Sequence, residues 1–90
     1  MELEWDEDKA VRNVSKHGVE FAEAATVFGD ALALTFLDPD HSEREERYLT
    51  FGHSIAGRLL VVAHTDRGDR IRIISARMAT RRERALYEEG

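Results

Sequence analysis

The chain has no cysteine, a single proline (Pro39), a single tryptophan (Trp5) and no lysine beyond Lys16. Lack of cysteine excludes disulfides, thiolate metal sites and a cysteine nucleophile. No stretch approaches the roughly 18 apolar residues of a membrane-spanning helix. The acidic start, MELEWDEDK, carries no apolar run of the kind a secretory signal needs, so a soluble cytoplasmic protein is expected. Also missing are a metalloprotease-type histidine pair, a P-loop, a dinucleotide fingerprint, a nucleophile elbow and paired catalytic carboxylates. Asp38, Asp40 and His41 lie close together, but Asp-Pro-Asp is turn chemistry, and neither a metal nor a cofactor is expected.

What the sequence does have is charge, unevenly distributed. The net charge is −5, composed of −8 over residues 1–57, +5 over 58–84 and −2 over the last six. An acidic total argues against a nucleic-acid ligand. The polarisation allows a basic patch on an acidic body, or two halves that neutralise each other at the surface. Every cation of the second half is arginine, whose planar guanidinium grips phosphate with two prongs. The 90 residues suit one domain, 1–90, with one core. A domain of that size is marginal alone, so a partner subunit fits.

Periodicity gives an outline. Leu3 and Trp5 alternate with glutamates as a weak first strand. Asp6 caps a helix with Glu7 and Asp8 in its first turn. Ala10, Val11 and Val14 form its apolar stripe, and Gly18 ends it after Lys16 and His17. Phe21, Ala24, Ala25 and Phe28 repeat as an amphipathic second helix that stops at Gly29. Residues 31–38 then switch to strand, with Leu32, Leu34 and Phe36 on one face. His41 to Glu46 reads as a charged loop or short helical turn. Further strands follow at 47–53, 58–65 and 70–75. The 58–65 segment is apolar on both faces, as in a central strand, and Asp66-Arg67-Gly68-Asp69 makes the last hairpin turn. Thr80 with Glu83 is a capping box opening a final helix to about Tyr87. The order β-α-α-β-β-β-β-α implies an α+β fold, a small antiparallel meander packed by helices on one face.

Arg67, Arg70, Arg72, Arg77, Arg81, Arg82 and Arg84 fall on outward strand positions and at a helix N-terminus. They form either a phosphate-binding surface or a solvated face paired with Asp and Glu. Arg77, emerging where an apolar strand ends, is either a site residue or a snorkelling cation paired with a helix carboxylate. His17 and His64 could carry protons near neutral pH. Trp5 is most simply core, though an aromatic at a rim can stack a base, and Tyr87 reads as packing.

Four segments in order, E-W-D-E-D-K at 4–9, K-H-G-V-E-F at 16–21, E-E-R at 45–47 and R-I-I-S-A-R-M-A-T-R-R-E-R at 72–84, resemble the BrnT toxins of bacterial type II toxin–antitoxin pairs. The resemblance covers Leu3 to Tyr87. It implies a RelE-like ribonuclease fold and RNA cleavage that blocks translation. It also implies neutralisation by a BrnA antitoxin whose ribbon-helix-helix part, not the toxin, binds operator DNA. On matching motif positions it implies Arg67, Arg77, Glu46, Lys16 and His17 as site residues. Metal-free RNA cleavage uses the 2′-hydroxyl as an internal nucleophile and needs a base, an acid and phosphate-binding cations. Arg67 and Arg77 suit phosphate stabilisation, Glu46 or His17 the base, and Lys16, Arg72, Arg81 and Arg82 further RNA contacts. The competing expectation is a non-catalytic, arginine-rich subunit that docks an antitoxin or nucleic acid. A DNA-binding repressor is not expected, for no helix-turn-helix spacing is apparent.

Overall fold

The computed structural model describes residues 2–41 and 45–90. Strand β1 (Glu2–Glu4) leads into helix α1 (Glu7–His17), then α2 (Phe21–Ala25), which tightens into a 3-10 turn at Thr26–Gly29. Strands β2 (Leu34–Leu37), β3 (Arg47–His53), β4 (Leu59–Arg67) and β5 (Arg70–Met78) follow, and α3 (Arg81–Glu89) closes the chain. Among the described residues no helix is long and apolar enough to cross a membrane.

The local signals act as expected. The Asp6 side chain accepts from the Lys9 backbone N–H at 3.1 Å, and Gly18 ends α1 in the left-handed region at φ 69°, where a side chain would be strained. Thr80 and Glu83 form the reciprocal capping box at α3. The hairpin turn is narrower than the expected Asp66–Asp69. Strand β4 runs to Arg67, which faces Arg70 across the ladder, and only Gly68 and Asp69 turn, with Gly68 at φ 67°. Leu32 lies in an exposed turn outside the strand that was expected to include it. Of the charged loop after Asp38, Pro39–His41 form a 3-10 turn, and residues 42–44 lie outside the described residues.

The sheet order is β1-β5-β4-β3-β2. Strands β2 to β5 form the antiparallel meander, while β1 returns to the far edge and pairs with β5 in parallel. The sheet is therefore mixed. Strand β1 covers only Arg70 to Arg72, so among the described residues the rest of β5 has no strand neighbour on that side.

An irregularity in β5 decides which side chains face in. Ala63 pairs with Ser75 and His64 with Ile73, so Ile74 is an extra residue, a β-bulge. Strict alternation from the inward Ile73 would send Arg77 inward. The bulge reverses the phase, burying Ile73 and Ala76 together and leaving Arg77 on the other face. The core forms where Val19, Phe21, Ala24 and Val27 meet Leu60, Val62, Ile73 and Ala76.

Helix α3 does not join that layer. It meets the opposite face of the sheet, through Glu83 on Arg77 and Tyr87 on His53, and none of its residues is buried. Helices therefore lie on both faces, which corrects the one-face expectation. The cause is the bulge, which presents Arg77 on the side where Glu83 can reach it.

Helix α1 is fastened to the open edge of β5 by Asn13, which is buried. Its amide Nδ2 donates to the Ala76 carbonyl at 2.8 Å and to the Val19 carbonyl at 2.9 Å. Its Oδ1 accepts from the Ala76 backbone N–H at 3.1 Å. The side chain thus does for Ala76 what a neighbouring strand would do. Asn13→Ala leaves several buried polar groups unpartnered and is expected to cost about 2–4 kcal/mol, read from urea unfolding. A loss below about 0.5 kcal/mol, the range of an ordinary surface change, would contradict this account of the α1–β5 contact.

Candidate functional site

The expected arginine surface exists, but carboxylates already hold it. Arg67, Arg70, Arg72 and Arg77 share one face of the β4–β5 hairpin by register. Arg67 Nη2 lies 3.2 Å from Glu45 Oε1. Arg70 lies 3.2 Å from Glu2 and 3.4 Å from Glu4, and Arg72 Nε lies 3.0 Å from Glu4. These follow directly from register, because β1 places Glu2 beside Arg70 and Glu4 beside Arg72. Arg77 is gripped by both Glu83 oxygens, at 2.7 and 2.8 Å. That two-pronged pair holds the Glu83 carboxyl down at about 2. It uses the geometry by which a guanidinium takes phosphate.

Glu46 stands near the Arg67 end, where its Oε2 accepts from the Tyr48 hydroxyl at 2.7 Å. That bond raises the Tyr48 pKa. Arg81 and Arg82 are exposed in the first turn of α3. The helix N-terminus beside them is occupied by its own capping box.

Lys16 and His17 sit elsewhere, on α1 along the open edge of β5. They line a groove of about 310 Å³ with Lys9, Arg12, Asn13, Ile74 and Ser75. Positions 9, 12, 13, 16 and 17 fall on one side of a helix, so α1 delivers Lys9, Arg12, Lys16 and His17 together. Asn13 in their midst fixes that side against the strand, and the bulge residue Ile74 and Ser75 form the opposite wall. No carboxylate lines this groove, and none of the salt bridges among the described residues involves its four basic side chains, although the Lys9 backbone N–H and then the charges of Lys9 and Arg12 hold the nearby Asp6 carboxyl below its ordinary pKa. Lys9 and Arg12 are the residues that sequence reasoning missed. Their helical spacing from Lys16 was the available signal.

A second cluster was also missed. The Tyr87 hydroxyl donates to Asp30 Oδ2 at 2.6 Å and lies 3.2 Å from His53 Nδ1. The same Asp30 oxygen accepts from the His53 backbone N–H at 2.8 Å. These bonds, the Tyr87 hydroxyl first, hold the Asp30 pKa below its ordinary value. The cluster ties the end of α3 to the end of β3, and Tyr87 therefore does more than pack.

His64, one of two expected proton carriers, lies in the interior between Phe28 and Tyr48. Its Nε2 is 2.7 Å from the Thr50 hydroxyl, which in turn meets Thr35 at 2.8 Å. Its Nδ1 has no partner among the described residues. Burial pushes its pKa down, so it stays neutral and out of reach of a surface ligand. Trp5 packs edge-on against Phe21, with ring centroids 6.1 Å apart, and donates its indole N–H to Glu7 at 2.8 Å. Among the described residues no three His, Asp or Glu side chains cluster as a metal site would require.

The site therefore separates into parts. Arg67 and Glu46 stand at one end of the hairpin, and Arg77 with Arg81 and Arg82 at the start of α3. Lys16 and His17 form a free cationic groove with Lys9 and Arg12. Such a groove offers an anion two ammonium groups, a guanidinium and an imidazole on one side of a helix.

Residues 5–83 match the family model described as "Ribonuclease toxin, BrnT, of type II toxin-antitoxin system". The chain belongs to the BrnT family. No curated protein sequence matches it. A solved structure, the Brucella abortus ribonuclease toxin BrnT, superposes with a TM-score of 0.66 at 24% identity, covering 90% of this chain and 99% of that one. The family match takes in α1, α2, strands β2 to β5 and the Arg77–Glu83 pair, and leaves out β1 and Tyr87.

The depressed Glu83 carboxyl makes a pH-dependent contribution to stability. Its pKa falls from an ordinary 4.5 to about 2 on folding. The stability it supplies is thus full above pH 4.5 and is lost as pH falls towards 2. With solvent screening at the partly exposed Arg77 end, this is worth about 1 kcal/mol. Glu83→Gln is expected to unfold at lower urea near neutral pH and to converge with the parent near pH 2. Parallel stability curves down to pH 2 would show that the pair contributes nothing of this kind.

Proposed function

We propose that this chain is a metal-independent endoribonuclease. It cuts RNA in the cytoplasm, so inhibiting translation, and is held in check by a BrnA-like ribbon-helix-helix antitoxin through which alone operator DNA is bound. The observation that carries the catalytic reading is the carboxylate-free groove of Lys9, Arg12, Lys16 and His17 against Ser75. A phosphodiester lying along α1 would have its negative charge met by Lys16, Arg12 and Lys9 as that charge builds at phosphorus. His17 is the one group there able to take the proton of a 2′-hydroxyl. The 2′-oxygen then bonds to phosphorus and the bond to the 5′-oxygen breaks. The 5′-oxygen leaves with a proton taken from water, and the products are a 2′,3′-cyclic phosphate and a 5′-hydroxyl. Dependence on the 2′-hydroxyl selects RNA over DNA.

In this reading His17 is preferred over Glu46 as the base, since Glu46 is engaged by Tyr48. Arg67 and Arg77 contact phosphate by exchanging Glu45 and Glu83 for it, and Arg72, Arg81 and Arg82 extend the RNA surface on that face. The docking-only alternative draws on the same carboxylate pairs, which describe a surface already neutralised in the free protein.

Purified protein incubated with RNA in EDTA is expected to give products ending in a 2′,3′-cyclic phosphate. His17→Ala should lower the rate about 100-fold or more. Lys16→Ala should lower it about tenfold with an unchanged melting temperature, as for a screened phosphate contact. RNA left intact while tightly bound would favour the docking subunit. Cleavage that needs a divalent ion and leaves 5′-phosphates would overturn the mechanism.

A further inference from the structure

The other flank of α1 has no part in the cationic groove. Asn13 and Ala10 mark the helix's line of contact with the body, and Val11 and Val14 lie beyond it, 70% and 45% exposed. They line a second groove, of about 270 Å³, with Trp5, Phe21 and Ala22, and with Glu7 and Glu20 among its polar lining. The Trp5 ring is fixed as a wall, its N–H held by Glu7 and its edge on Phe21. An open apolar groove with a rigid indole wall fits an aliphatic side chain better than it fits water. Its charge is opposite in sign to the cationic flank. The polar lining offers two carboxylates, and the acidic first turn of α1 adds Asp8.

We propose that this groove seats an amphipathic helix of the antitoxin. A row of its Leu, Ile or Val side chains lies on Val11, Val14 and Trp5, and its Lys or Arg flanks meet Glu7 and Glu20. The helix-in-groove mode supplies the apolar anchors, and the carboxylates select basic flanks over acidic ones. The proposal rests on the reading of the chain as the toxin of a pair. It separates the two tasks by flank, RNA on the cationic side of α1 and partner on the apolar side.

Trp5 is the only tryptophan, so its emission reports on this groove alone. The probe is a synthetic, tryptophan-free helical peptide, about four turns long, with leucines along one face and lysines flanking them. Titrated into the intact protein, it is expected to shift Trp5 emission saturably to the blue. Val14→Asp and, separately, Glu20→Lys should each weaken binding at least about tenfold. RNA cleavage by both variants should equal that of the parent, with circular dichroism checking the fold. Equal binding by a scrambled peptide or by one with glutamate flanks would overturn the proposal, as would the absence of any Trp5 shift. So would a concentration-dependent dimer that Val14→Asp disperses, since a second copy of the chain would then be the occupant. Peptide binding without RNA cleavage would leave the groove in place and remove the nuclease reading instead.

Discussion

One side-chain amide sets the geometry of the molecule. Asn13 engages both backbone groups of Ala76, and so docks α1 on a strand edge that β1 leaves open. That edge is available because β1 pairs only with the first three residues of β5. It is presented correctly because the bulge at Ile74 turns Ala76 towards the helices. If the amide contact slipped by one helical position, α1 would rotate by about 100°. Its cations would then no longer lie along Ser75.

The charges divide by type as well as by place. The arginines of β4 and β5 are tied to Glu45, Glu2, Glu4 and Glu83, and Arg58 is tied to Glu23, its Nε 2.9 Å from Oε2. These forks stitch β1, the segment before β3, α2 and α3 to the sheet. They therefore carry structure in the free protein, whatever they do with a ligand present. The two lysines of α1, with Arg12 and His17, carry no such burden. Among the described residues a polarised net charge thus resolves into neutralised arginine pairs on the sheet and strips of cations outside salt bridges on α1 and α3. Chain-long bookkeeping of acids and bases could not separate the two.

Much of the fold was legible because its signals are local. The Asp6 cap, the Gly18 stop, the Thr80–Glu83 box and the order of elements each depend on residues within a turn of one another. Three features were not legible. The parallel return of β1 and the placement of α3 on the far face depend on contacts across most of the chain. The bulge carries no glycine or proline to announce it. At the site, the arginine-rich stretch drew attention by composition, whereas Lys9 and Arg12 sit among acidic residues where only helical phase connects them to Lys16. Tyr87 and Asp30 are 57 residues apart, and no spacing rule joins them.

The central claim is that RNA lies along α1 and the open edge of β5. It is tested most directly by following backbone amide resonances while adding an RNA oligonucleotide whose 2′-hydroxyls are methylated, so that it binds uncut. The account predicts the largest shifts at Lys9, Arg12, Lys16, His17 and Ser75, with Val11 and Trp5 little changed. Shifts centred instead on Arg67, Arg70 and Arg72, with α1 silent, would contradict it.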